Sequence, residues 1–169
     1  MKPNYIGIVG GILAFISLVL PWWTVLASVL GITVSVDLYL YQVSGLGTTI
    51  GVSIEQSWYM WAALVLVIVA GLLGIVGSIK YGKQLLVGGG ALVLLSIIIF
   101  AAGLQIQLSG EGAPFGLFSF GEGYSTYLSF GFWLALVAAV VMFVASRRKS
   151  VEAVVPPPPP PPPPPLAIQ

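Results

Sequence analysis

Two long charge-free runs dominate the hydrophobic pattern of the chain. Residues 58–79 and residues 85–104 contain no ionisable Asp, Glu, Lys, Arg or His, and only Lys80-Tyr81-Gly82-Lys83-Gln84 separates them. A hydrocarbon core of ~30 Å is crossed by roughly 20 apolar helical residues at about 1.5 Å each. Each run meets that length, and a bilayer leaves the backbone no partner but itself, so both are expected as helices. The short link makes them antiparallel neighbours. Two further runs have the same character: residues 5–23, with Pro21 near the end, and residues 129–146, closed by Arg147-Arg148-Lys149. Four membrane spans follow.

Between the spans the period changes. From Ile32 to Leu40, apolar side chains hold the even positions, while Thr33, Ser35, Asp37, Tyr39 and Tyr41 hold the odd ones. Alternation of that kind marks a half-buried strand. It resumes at Ile50, Val52 and Ile54 after Val43-Ser44-Gly45-Leu46-Gly47, which reads as the turn of a β-hairpin. Val25 to Leu30, closed by Gly31, is a candidate shorter strand. In the second connection Ile106 and Leu108 alternate with Gln105, Gln107 and Ser109, and Gly-rich turns at residues 110–114 and 121–123 flank residues 115–120. One or two strands are expected there, extending the first sheet. Open sheet edges have no place in lipid. The expected fold is a membrane all-α bundle of four transmembrane helices, with a small antiparallel sheet built outside the membrane from the loops at residues 24–57 and 105–128. Residues 1–149 form that domain, and residues 150–169 are expected as a disordered, proline-rich cytoplasmic tail.

Charge orients the plan. Lys2, Lys80, Lys83, Arg147, Arg148 and Lys149 all fall on one side, whereas Asp37, Glu55, Glu111 and Glu122 fall on the other; Glu152 is in the tail. The positive-inside rule puts both termini and the central link in the cytoplasm, with the plasma membrane as the expected location. Trp22, Trp23, Trp58, Trp61 and Trp133 gather at the outer ends of the spans, where indoles serve as interfacial anchors. A rival reading makes the start a cleaved signal peptide: Lys2, an apolar core, then Val25-Leu26-Ala27 before Ser28. The tandem Trp22-Trp23 favours retention.

Composition agrees and narrows the chemistry. The chain of 169 residues is 58% hydrophobic and 7% charged, with a mean hydropathy of +1.05. A soluble domain carries about 25% charge. With neither Cys nor His, disulfides, thiolate metal sites and the commonest general base are absent. No ionisable group lies inside a span, as proton relays and voltage sensors require. Hydroxyls such as Ser17, Ser78 and Ser96 are expected to bond their own helices. Gly77 to Lys83 matches most of a phosphate-binding loop, yet Gln84 replaces its hydroxyl and an apolar helix its strand, so a helix stop is the better reading. Small residues at four-residue spacing (Gly7 and Gly11; Ala70, Gly74 and Ser78; Ala135 and Ala139) suit close helix packing. No catalytic residue, cofactor or metal is expected, and no nucleic acid partner.

The order of helix, β-rich outer loop, helix, short turn, helix, smaller β-bearing loop, helix and tail resembles the claudin-like tetraspan membrane proteins. Trp22-Trp23 and Gly45-Leu46 stand where that family places a Trp and then a Gly-Leu-Trp; Gly47 replaces the second Trp, and the paired loop cysteines are missing. The resemblance implies a left-handed four-helix bundle capped by an extracellular sheet, and adhesion, barrier or partner-chaperoning roles. Ten consecutive prolines, with Pro156, Pro160 and Pro165 spaced along them, would form a stiff rod of about 31 Å, either a ligand for aromatic grooves or a spacer. The expected function is a non-catalytic integral membrane protein acting through protein partners or self-association, or through structural organisation of the cell envelope. A small accessory subunit of a larger membrane enzyme or respiratory complex is the alternative. A channel or transporter, which needs a polar pathway, is the third.

Overall fold

A computed structural model describes residues 3–29, 32–45, 57–80, 82–110, 116–121 and 123–147. Among them are four helices: α1 (Tyr5–Leu18), α2 (Trp58–Ile79), α3 (Lys83–Gly110) and α4 (Phe130–Arg147). Five strands complete the fold: β1 (Trp23–Val29), β2 (Ile32–Leu38), β3 (Val43–Gly45), β4 (Ser119–Gly121) and β5 (Tyr124–Leu128). Helices α2, α3 and α4 are long and apolar enough to cross a membrane. Helix α1 is apolar and 14 residues long, or about 21 Å.

The helices close a ring in which α1 packs between α2 and α4, and α3 between the same two on the other side. Small side chains line the inside. Gly7, Gly10, Gly11, Ala14 and Ser17 are the buried residues of α1, and Ala135, Ala138, Ala139, Met142 and Ala145 are among those of α4. Large apolar residues face outward instead: Val9, Ile12 and Ile16 on α1, Val65, Val69 and Leu72 on α2, Val137, Val140 and Val144 on α4. A water-soluble monomer rarely leaves so continuous an apolar surface uncovered. Small residues inside and branched ones outside is the pattern of helices packed against each other in lipid.

The spaced small residues do bring backbones together. A Cβ on Gly11 would meet the Gly71 carbonyl oxygen at 2.8 Å, and one on Gly74 the Gly11 Cα at 3.2 Å. Met142 fills the centre from α4, lying against Gly10, Gly74 and Gly89 of the other three helices. At the end away from the sheet, Asn4 ties α1 to its neighbours: its backbone N–H donates to Ser78 O at 3.1 Å and its Nδ2 to Ala145 O at 3.0 Å.

Several expected boundaries are corrected. Helix α1 stops at Leu18 rather than continuing to residue 23. Pro21 has no N–H to offer the Ser17 carbonyl four residues earlier. The Trp22 indole supplies that donor instead, Nε1 to Ser17 O at 2.9 Å, while Val19 N–H closes a tighter turn onto Ile16 O at 3.2 Å. Helix α3 runs to Gly110, so residues 105–109 are helix and not the expected strand. Leu104 and Leu108 are buried together one turn apart, and Gln107 accepts hydrogen bonds from the Ser57 and Tyr59 hydroxyls, both at 2.8 Å. In the first loop, residues 43–45 are strand β3 and not a turn; the reversal lies just before, with Tyr39 N–H donating to Gln42 O at 2.8 Å. The expected strand at residues 49–55 lies outside the described residues.

Candidate interaction surface

The sheet is antiparallel throughout, in the order β3-β2-β1-β5-β4. Strand β1, expected only as a minor addition, is its centre. It pairs along its length with β2 (Val25 opposite Val36) and with β5 (Val25 opposite Thr126), so the two loops are knitted into one sheet. The β4–β5 hairpin turns through Gly123, whose φ of 86° is the left-handed conformation that glycine adopts without strain.

A dense junction fixes this sheet to the bundle. Residues 19–22 are not helical, and the backbone groups of Pro21 and Trp22 are bonded: Trp22 N–H donates to Leu38 O at 2.8 Å, Ser129 N–H to Trp22 O at 3.0 Å and Gly131 N–H to Pro21 O at 2.8 Å. Helix starts leave N–H groups without intrahelical partners, and helix ends leave carbonyls. Here the start of α4 donates to the chain leaving α1. The close approach depends on Gly131, where a Cβ would lie 2.7 Å from Leu20 O and 2.8 Å from Pro21 O. Beneath the junction Trp22 packs edge-on against Phe100 (centroids 5.2 Å, 68°) and Phe132 (6.0 Å, 84°), and Tyr59 against Phe100 (6.1 Å, 66°).

Register assigns the two faces. Trp23, Val25 and Ala27 share one face with Leu38 and Leu128, which belong with Trp23 to the hydrophobic core. The opposite face carries hydroxyls: Thr24, Ser28, Thr33, Ser35, Ser125 and Tyr127, together with Leu26, Asp37 and Phe120. Thr24 Oγ1 donates to Asp37 Oδ1 at 2.7 Å across the β1–β2 pair. Farther from the bundle, a shallow open depression of about 340 Å³ lies over Leu26, Ser28, Thr33, Phe120 and Ser125. Phe118 and Phe120, at the β4 edge, are exposed. A face of hydroxyls, one carboxyl group and two apolar side chains offers contact area and hydrogen bonds.

The expected anchors divide. Trp58, Trp61 and Trp133 are 75%, 51% and 48% exposed near the sheet end of the bundle, where an interfacial role is open to them. Trp22 and Trp23 do not fit that role: they are 0% and 2% exposed, buried between bundle and sheet. Trp22 is the α1 cap, and Trp23 Nε1 donates to Leu117 O at 3.3 Å. Their amphipathic indoles meet protein carbonyls in place of lipid headgroups. Lys80, Lys83 and Arg147 are exposed at the end opposite the sheet, whereas Asp37 lies in the sheet. Lys2, Arg148, Lys149, Glu55, Glu111, Glu122, Glu152 and the ten-proline run, including Pro156, Pro160 and Pro165, lie outside the described residues.

Inside the bundle the hydroxyls bond their own helices. Ser17 donates to Ala14 O at 2.7 Å, Ser78 to Gly74 O at 2.6 Å and Ser96 to Val93 O at 2.7 Å. Among the described residues, no three His, Cys, Asp or Glu side chains are grouped to hold a metal, and every buried side-chain N or O atom has a partner. The junction and the tandem use of β1 by both loops escaped sequence reasoning; Gly131, alone among aromatics in Phe130-Gly131-Phe132-Trp133, was the signal that could have pointed to a close approach. No protein-family model matches the chain, and no curated protein matches it.

Proposed function

We propose that the chain is a non-catalytic, claudin-like tetraspan protein of the plasma membrane, with both termini cytoplasmic, whose outer sheet docks protein partners or further copies of the chain. The observation that carries this reading is the junction. Trp22 is bonded to the sheet at Leu38 and to α1 at Ser17, and the preceding Pro21 accepts from Gly131 of α4, so a partner held by the sheet is held by the bundle. Preorganised platforms bind without first ordering themselves. Support for four spans comes from the apolar stripe that α1 shares with the longer helices. Support for the orientation comes from Lys80, Lys83 and Arg147 at one end and Asp37 at the other. The proline segment would add a cytoplasmic contact.

Purification from native membranes in mild detergent, followed by native mass measurement, tests the reading. The expected result is a small homo-oligomer or a complex with one other envelope protein, lost on Phe120→Asp substitution while the melting temperature is kept. Recovery only within a large enzyme assembly, unaffected by Phe120→Asp, would make the chain an accessory subunit and overturn the docking role of the sheet.

A further inference from the structure

The exposed apolar stripes of the four helices end at different heights beneath the sheet. Met142 defines a common level, since it touches Gly10 on α1, Gly74 on α2 and Gly89 on α3. At about 1.5 Å per residue, the outermost exposed apolar side chain stands about 13 Å above that level at the C-cap of α1 (Val19) and about 18 Å on α4 (Phe130). On α2 (Trp58) and α3 (Ile106) it stands about 24 and 25 Å above. At the outer end Ser57, just before α2, meets α3 at Gln107, about 10 Å beyond the level of Phe100, where Trp22 packs. At the opposite end α1, α2 and α4 finish together, tied by Asn4 to Ser78 and Ala145.

We infer that the α1–α4 flank is built for a thinner outer leaflet than the α2–α3 flank, so that its lipid partner is one of short or disordered acyl chains. The inference rests on the four-span reading. Directly above Val19 the chain enters β1, where Thr24 lies opposite the partly exposed Asp37 and donates to its carboxyl group. A leaflet of full thickness would immerse that acidic side chain in hydrocarbon. Local thinning costs less than dehydrating it. Tilting the bundle does not remove the step, because it would carry the level inner end out of line by the same amount. The protein then acts as a wedge that deforms one leaflet on one side and favours membranes already thin there.

Val19 at the C-cap of α1 and Val65 on α2 stand at the same height above Met142, and both are exposed. The chain has no cysteine, so Val19→Cys and Val65→Cys each accept one fluorophore. The full chain is reconstituted in dioleoyl phosphatidylcholine vesicles carrying a nitroxide either near the headgroup or near the chain end. The label at Val19 is expected to lose more emission to the headgroup nitroxide, and the label at Val65 more to the chain-end nitroxide. Equal depth at the two positions would overturn the inference. So would a label at Val19 that neither nitroxide reaches while Val65 is quenched from the chain end, since a second copy would then cover the flank. A label at Val65 that the chain-end nitroxide fails to quench would instead overturn the membrane-spanning reading beneath it.

Discussion

Gly131→Ala is expected to destabilise the fold by about 2–3 kcal/mol, a large effect for one methyl group. The added Cβ would sit 2.6 Å from Trp22 Cδ1, 2.7 Å from Leu20 O and 2.8 Å from Pro21 O. Two of those atoms are backbone oxygens, and one accepts the Gly131 N–H at 2.8 Å, so relief of the clash breaks the bond that joins α4 to the chain leaving α1. Gly88→Ala is the matched comparison. Gly88 lies within α3 with nothing within 4 Å of its would-be Cβ, so alanine there is expected to stabilise by about 0.5–1 kcal/mol. Thermal unfolding of the two variants in detergent, beside the parent chain, should move in opposite directions. A Gly131→Ala protein as stable as its parent would mean that the junction is looser than these distances describe.

Trp22→Ala is expected to cost about 4 kcal/mol, in the range found for emptying a buried aromatic site. The ring is fully buried and in edge contact with Phe100 and Phe132. Trp22→Phe separates packing from capping. It keeps most of the bulk but leaves Ser17 O without the indole donor that stands in for the missing N–H of Pro21. An expected cost of about 1–2 kcal/mol follows for that carbonyl. Near-ultraviolet circular dichroism and thermal unfolding read both variants. If phenylalanine proved harmless, solvent or lipid would be supplying the cap, and the account of why α1 stops at Leu18 would fail.

How much was legible in the sequence followed from how many signals each segment carried. For α2, an uncharged run of helical length between Ser57 and Lys80 leaves one solution, and its bounds coincide with those expected. Residues 105–109 carried two periods at once. Ile106 and Leu108 alternate like a strand, yet Leu104 and Leu108 also lie one helical turn apart, and the contact of Gln107 with Ser57 and Tyr59 is a tertiary fact that no local pattern encodes. Likewise, indole is amphipathic, so Trp22 suits either a headgroup or a buried carbonyl. Pro21 and the arrangement of α4 decide between them. The central place of β1 was hidden because its neighbours β2 and β5 come from different loops, about ninety residues apart in sequence (Trp23 lies opposite both Leu38 and Leu128). The hydroxyl-rich face was legible as alternation, whereas its depression needed β4 and β5 beside β1.

The measurement that tests the central claim most directly is the sidedness of single cysteines in intact cells. Pro3→Cys lies two residues before α1, Lys83→Cys at the start of α3, and Ser28→Cys near the far end of β1, on a chain with no other cysteine. A membrane-impermeant maleimide is expected to label Ser28→Cys in intact cells, and to reach Pro3→Cys and Lys83→Cys only after permeabilisation. That result places the sheet outside and requires α1, short as it is, to complete a crossing. Labelling of Pro3→Cys together with Ser28→Cys in intact cells would show that α1 does not cross, and would contradict the four-span account.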